Sequence, residues 1–109
     1  MFIGTELKND YLIIRVRGRI GGESSIDFYK QVREIADNDE EAAVIIDFAQ
    51  VDFIDSSGLG SLVAINSHLV KQGRRLILSG VLENLLGLLK ITNLYSILQI
   101  VDKVEDVVS

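Results

Sequence analysis

The sequence predicts an α/β fold with a mixed sheet of four or five strands, and three observations carry that prediction. Short β-branched runs alternate with stretches of helical period, a pattern that calls for crossover connections and parallel strand pairs. A hairpin pattern opens the chain and adds one antiparallel pair. The composition is that of a folded globular unit: 109 residues, 48% apolar and 25% charged, close to average usage and outside the range of disorder. A chain of this length buries roughly two-thirds of its unfolded surface and folds without staples. It is read as one domain over 1–109.

Residues 2–7 and 11–17 are read as strands around the turn Lys8-Asn9-Asp10. In the second strand Leu12, Ile14 and Val16 share one face, and Ile13, Arg15 and Arg17 the other. Breaks are expected at Gly18 and at Gly21-Gly22. Ser24, with Asp27 three residues on, is placed to cap a helix over 24–37, in which Phe28, Val32, Ile35 and Ala36 keep helical spacing. The acidic cluster at 37–41 reads as solvated loop. Val44-Ile45-Ile46-Asp47-Phe48 is short, β-branched and nearly all apolar, as suits a strand covered on both faces. A helix over 58–71 follows, with Leu59, Leu62, Val63 and Val70 on its apolar stripe and Gly73 as its stop. Then come a strand at 75–79, a helix at 84–91, a short strand at 98–101 and a helical turn or two at 103–108, giving about four helices in all.

Composition also narrows function. Eleven basic against 16 acidic residues give a formal charge of −5 and a pI near 4.7. That is the wrong sign for binding nucleic acid as a main activity. With no cysteine, disulfides, thiolate catalysis and thiolate-held metal are excluded. A single histidine cannot build a two-histidine zinc site. The N-terminus lacks a basic lead, and no apolar run approaches the roughly 18–20 residues that cross a bilayer. No membrane partner, no cofactor and a cytoplasmic location are therefore expected.

The segment 51–60 does not read as ordinary core. It joins the most buried strand to the best helix, at a strand carboxyl end where α/β folds tend to place function. Gly58 and Gly60 each cost about 1 kcal/mol against alanine in a helix, so their presence needs a reason. One reading is capping by Asp55 or Ser56, with the glycines permitting close packing. The other is that free N–H groups at the helix start favour an anion, so that a serine there can carry a phosphate. The segment lacks the lysine of a nucleotide-cradling loop. It is not a nucleophile elbow either, because His68 lies on the far side of the helix from Leu59.

Asp55-Ser56-Ser57-Gly58-Leu59-Gly60, entered from the strand at 44–48, resembles the signature of anti-sigma factor antagonists, members of the STAS domain family. The resemblance covers nearly the whole chain. Residues 11–18 are similar to the family's second strand, 74–79 to the strand after the signature helix, and Leu89-Lys90-Ile91-Thr92-Asn93-Leu94 to its closing segment. A single STAS-like domain is implied, and with it a partner-switching protein that is not an enzyme. In that family the unphosphorylated antagonist binds an anti-sigma factor that is also a serine kinase with a histidine-kinase-like ATP fold, which frees the sigma factor. The kinase phosphorylates the serine matching Ser56 and binding ends; a metal-dependent serine phosphatase restores it. Ser56 is thus the implied acceptor, with Ser57 second. Asp55, Ser57, Gly58, Leu59 and Gly60 form the implied loop and partner contact. Gly21, Gly22, Glu23, Ser61, Ala64 and Ile65 extend the candidate surface. Family analogy implies a monomer when free. An alternative is a STAS scaffold or regulator of a non-sigma target in a signalling assembly. The rival from another class is a small phosphotransfer or nucleotide-hydrolysing enzyme.

One position departs from the family pattern. The loop after the second strand, where family members carry an acidic residue, has Gly21 at the matching place and Glu23 nearby. Arg15, Arg17 and Arg19 read either as a solvated strand face or as a docking surface or phosphate latch. His68 reads as a surface residue and Asn66 as a satisfied buried amide. Asp47, Asp52 and Asp55 suggest a receiver-type acceptor aspartate only faintly, since the paired acids and late lysine of that arrangement are not evident.

Overall fold

Strands β1 (Phe2–Lys8) and β2 (Tyr11–Ile20) pair antiparallel, from Phe2 opposite Arg17 to Lys8 opposite Tyr11. Asn9 and Asp10 join them with φ of 50° and 66°, a left-handed pair that matches the twist of the flanking strands. The computed structural model describes residues 2–39 and 42–108; Glu40 and Glu41 of the acidic cluster lie outside the described residues. The order continues with α1 (Glu23–Asp37), β3 (Ala43–Ile54), α2 (Ser56–Lys71), β4 (Leu76–Ser79), α3 (Glu83–Ile91), a 3-10 turn at Leu94–Ser96, β5 (Gln99–Val101) and α4 (Glu105–Val108). The sheet runs β1-β2-β3-β4-β5 and is parallel from β2 onward.

Each parallel step moves to the next strand in the same direction. Right-handed crossovers then put α1, α2 and α3 on one face of the sheet. Leu12, Ile14 and Val16 of β2 and Val44, Ile46 and Phe48 of β3 pack there against Phe28, Val32, Leu62, Leu69, Leu85 and Leu89. Phe28 and Phe48 meet edge to face with centroids 6.4 Å apart. On the opposite face Val104 and Val108 close over Ile13, Ile45 and Ile77, near the ends where β2, β3 and β4 begin. Farther along that face, Arg15, Arg17 and Arg19 are exposed. The face assignment read from β2 therefore holds.

Several expected boundaries move. β2 runs unbroken through Gly18, whose φ is 108°, and its register against β3 shifts between Arg15 and Arg17 and again between Gly18 and Arg19, with the extra residue on β3 each time; β3 bulges opposite the expected break. β3 spans 12 residues, so residues 51–54 are strand and bury Val51 and Ile54. α2 begins at Ser56, two residues early, and buries Gly58, Leu59, Leu62, Ile65 and Leu69. Val63 and Val70 are instead 41% and 60% exposed. Two adjacent stripes of α2 are apolar, and contact with the sheet selects the one containing Ile65. Ser24 does not cap α1, whose N-cap is Gly22. The Ser24 hydroxyl lies 2.7 and 3.1 Å from the Gly21 and Arg19 carbonyls and accepts from Gly21 N–H, so it braces the loop before the helix. Gly73 stops α2 as expected, with φ of 70°.

Arg74, buried beneath the ends of α1 and α2, was unmarked by any pattern. Its Nε donates to the Ala42 carbonyl at 2.8 Å, and its Nη1 to the Ala36 carbonyl at 2.9 Å and to Gln72 Oε1 at 3.0 Å. It fastens the last turn of α1 to the entry of β3.

Candidate functional site

β3 passes into α2 through one residue, Asp55. Its backbone is extended (φ −107°, ψ −173°) and its side chain accepts from the Gly58 N–H at 3.0 Å, the geometry of an N-cap. The same oxygen accepts the Ser57 hydroxyl at 2.6 Å, and the other takes the Gly22 N–H at 3.0 Å. One carboxylate therefore caps α2 and pins the β2–α1 loop beside it. Ser57's hydroxyl, then the Gly58 N–H, hold the Asp55 carboxyl below the usual carboxylate value, against the opposing effect of burial.

The serines of this turn are not equivalent. Ser57 is committed to Asp55. Ser61 reaches the carbonyls of Ser25 at 2.9 Å and Ser57 at 3.2 Å. Ser56, the first residue of α2, is exposed, and among the described residues nothing bonds its hydroxyl. The two glycines also differ. A Cβ on Gly58 would lie 2.5 Å from Ile54 Cγ1 and 2.8 Å from the Ile20 carbonyl, whereas one on Gly60 meets nothing within 4 Å. Gly58 is required for close approach; Gly60 is sterically free. A Cβ on Gly21 would lie 2.7 Å from Asp55 Oδ2. An acidic side chain there would meet a like charge at contact distance, which gives the glycine a physical reason.

The sequence model of the STAS domain matches residues 3–107. The chain belongs to the STAS domain family. Solved structures share its fold. The Thermotoga maritima protein TM1081 superposes with a TM-score of 0.87 at 23% identity, covering 95% of this chain and 89% of its own. The Bacillus anti-sigma factor antagonist SpoIIAA, in its unphosphorylated form, gives 0.70 at 17%, covering 96% and 92%. A sulfate transporter family protein from Wolinella succinogenes gives 0.78 at 21%, covering 94% and 85%.

Around the turn of this STAS domain, Ser25, Ile26, Tyr29, Ser57, Gly60, Ser61 and Ala64 line a groove of about 350 Å³ between α1 and α2. Ser61 and Ala64 are thus open to contact, as are Gly22 and Glu23, both exposed at the start of α1. Ile65 is not: it is 2% exposed and turned into the core, so its place among the candidate partner residues is corrected. Gly58 and Leu59 are buried too and shape the loop from beneath. Asn66 is only half-buried. His68 gains a partner that its spacing did not reveal: Nε2 lies 2.7 Å from Asp37 Oδ1, joining the far ends of α1 and α2. That hydrogen bond is the main cause lowering the Asp37 carboxyl. Asp47 accepts from Ala49 N–H and lies 3.7 Å from Arg15 Nε. Asp47, Asp52 and Asp55 do not converge, and no metal-holding group of three or more acidic or histidine side chains occurs among the described residues. Among those residues no helix is long and apolar enough to cross a membrane.

Proposed function

We propose that this STAS domain is an anti-sigma factor antagonist switched by phosphorylation of Ser56. The observation that carries the reading is the division among the serines: only Ser56 pairs exposure with an unengaged hydroxyl on the capped first turn of α2. The likeness to SpoIIAA, solved in unphosphorylated and phosphorylated forms, supports it. The partner is an anti-sigma factor that is also a serine kinase, and a metal-dependent serine phosphatase reverses the modification. The domain is a substrate of these enzymes and no catalyst itself, cytoplasmic, and a monomer when free.

The switch acts at the interface. A phosphoserine brings about −1.5 to −2 charges. On the first turn of α2 it gains roughly 0.3–2 kcal/mol from the helix dipole. The adjacent Asp55 carboxylate repels it through solvent, which offsets much of that gain. The fold therefore changes little. At a closed interface the dianion must lose its water, and a penalty of only ~3 kcal/mol weakens binding more than a hundredfold.

The test is an affinity capture from the source lysate with wild type, Ser56→Ala and Ser56→Asp. Wild type and Ser56→Ala should retain a kinase that Ser56→Asp loses, and Ser56→Ala should not be phosphorylated. Phosphorylation of Ser56→Ala at full stoichiometry would refute the site. Turnover of labelled ATP by the protein alone would favour an enzyme. The likeness to the Wolinella transporter family protein favours a second reading, a STAS regulator of a non-sigma target, which the identity of the captured protein separates from the first.

A further inference from the structure

At the carboxyl ends of β2 and β3, beside the start of α2, two arginines stand without an anion. Arg15 bonds Glu6 at 2.8 Å, Arg33 lies 3.9 Å from Asp37, Arg74 is spent on carbonyls and Arg75 reaches Tyr11. Among the described residues Arg17 and Arg19 enter no ion pair. Arg19 is nonetheless held in place. Its guanidinium lies 4.4 Å from the centroid of the Phe53 ring, and Phe53 is 38% exposed. The parallel register sets Arg19 beside Phe53 and Arg17 beside Gln50. The ring edge lies 3.0 Å from where a Gly21 Cβ would stand, and that point is 2.7 Å from Asp55 Oδ2. Cation, ring, glycine and N-cap thus form one rim that leads to Ser56.

A guanidinium stacked on a ring keeps its N–H edge free for a carboxylate, and its fixed plane loses little freedom on bonding one. The neighbouring acids do not supply that carboxylate. Asp55 already accepts three donors, and exposed Asp52 pairs with neither arginine. On a chain of net charge −5, Arg17 and Arg19 are two neighbouring cations that no ion pair among the described residues neutralises. We propose that Arg19, backed by Phe53 and flanked by Arg17, is a docking contact for an acidic face of the protein that binds at Ser56. This rests on reading the Ser56 turn as a partner site. The occupant is a protein surface rich in Asp or Glu, whose carboxylates meet the guanidinium edge while the partner covers the turn.

A heptaglutamate peptide, titrated into the ¹⁵N-labelled protein, tests the contact directly. Amide shifts should concentrate at 17–21 and 53–57. They should vanish in Arg19→Glu and in about 1 M NaCl, where the Debye length is roughly 3 Å, and weaken about threefold in Arg19→Lys, which keeps the charge but loses the planar fork. Shifts centred on Lys8, Lys71 or Arg75, or unchanged by Arg19→Glu, would overturn the proposal. On the protein that wild type retains and Ser56→Asp does not, Arg19→Glu should weaken binding at least about tenfold. If Ser56→Asp weakens binding and Arg19→Glu does not, the docking contact is wrong. If Ser56→Asp binds as wild type does, the Ser56 reading itself has failed.

Discussion

Replacing Gly58 and Gly60 separately with alanine should move stability in opposite directions, although the two glycines lie only two residues apart in the same helix. In both cases alanine gains about 0.5–1 kcal/mol from helix propensity. At Gly60 nothing lies within 4 Å of the new Cβ, so the gain stands. At Gly58 the Cβ would sit 2.5 Å from Ile54 Cγ1 and 2.8 Å from the Ile20 carbonyl. Ile54 is buried, and the Ile20 carbonyl is held by the Asp55 N–H at 3.2 Å, so neither is free to withdraw. Overpacking of this kind costs about 1–3 kcal/mol, and it also shifts the Gly58 N–H that Asp55 caps. The expected net loss is roughly 1–2 kcal/mol. Near 109 residues each kcal/mol moves the thermal midpoint by roughly 4 °C. Gly58→Ala should therefore melt about 4–8 °C lower and Gly60→Ala about 2–4 °C higher, by circular dichroism or calorimetry. A Gly58→Ala protein as stable as wild type would refute the close-approach argument.

Other expectations are independent of that pair. The Asp55 carboxyl is held below its ordinary 3.8, so it adds stability that is present above that value and lost as pH falls through the lower folded one. Asp55→Asn keeps a capping oxygen and should flatten the acid limb of a stability–pH curve; an unchanged limb would count against the capping network. Arg74→Met leaves the Ala36 and Ala42 carbonyls without their buried donor, which costs about 1–3 kcal/mol, read from urea midpoints at unchanged slope. Gly21→Asp should lower the thermal midpoint more than Gly21→Ala does, and the difference should shrink with added salt, because only the first brings a second charge against Asp55. Equal losses at all salt concentrations would show that sterics alone forbid a side chain there.

Most of the sheet and its helices were legible in the sequence because β2 and β3 carry strict patterns. Leu12, Ile14 and Val16 alternate against Ile13 and Arg15, and the run Val44-Ile45-Ile46 has no polar interruption. The boundaries were less legible where a local rule met a tertiary contact. Gly18 looks like a stop, yet β2 runs on through it while β3 takes up the extra residue opposite. Val63 fits the helical stripe as well as Ile65 does, and only the sheet beneath α2 decides between them. At the site, Ser56 and its turn were marked by the signature, but the roles of Ser57 and Gly22 were not. The Ser57 contact, only two residues long, rests on a choice of rotamer that spacing does not encode, and the Gly22 contact spans 33 residues of sequence to one Asp55 oxygen. Arg74 and the His68–Asp37 pair left no trace for the same reason: each joins elements distant in the chain, and no spacing encodes them. The alternating arginines of β2 were legible too, but not that Arg15 is paired with Glu6 and Asp47 while Arg19 stacks on Phe53.

The exposure of Ser56 on a turn already closed by its cap has a kinetic meaning. A hydroxyl that stands outside the fold at rest needs no opening of the domain before a modifying enzyme reaches it. Under the proposed switch, the rate of modification follows the concentration and turnover of that enzyme, and is indifferent to how often the core breathes. Substitutions that drift through the interior and cost a kcal/mol or two would leave such a clock running at the same speed, so timing and sturdiness are free to evolve apart.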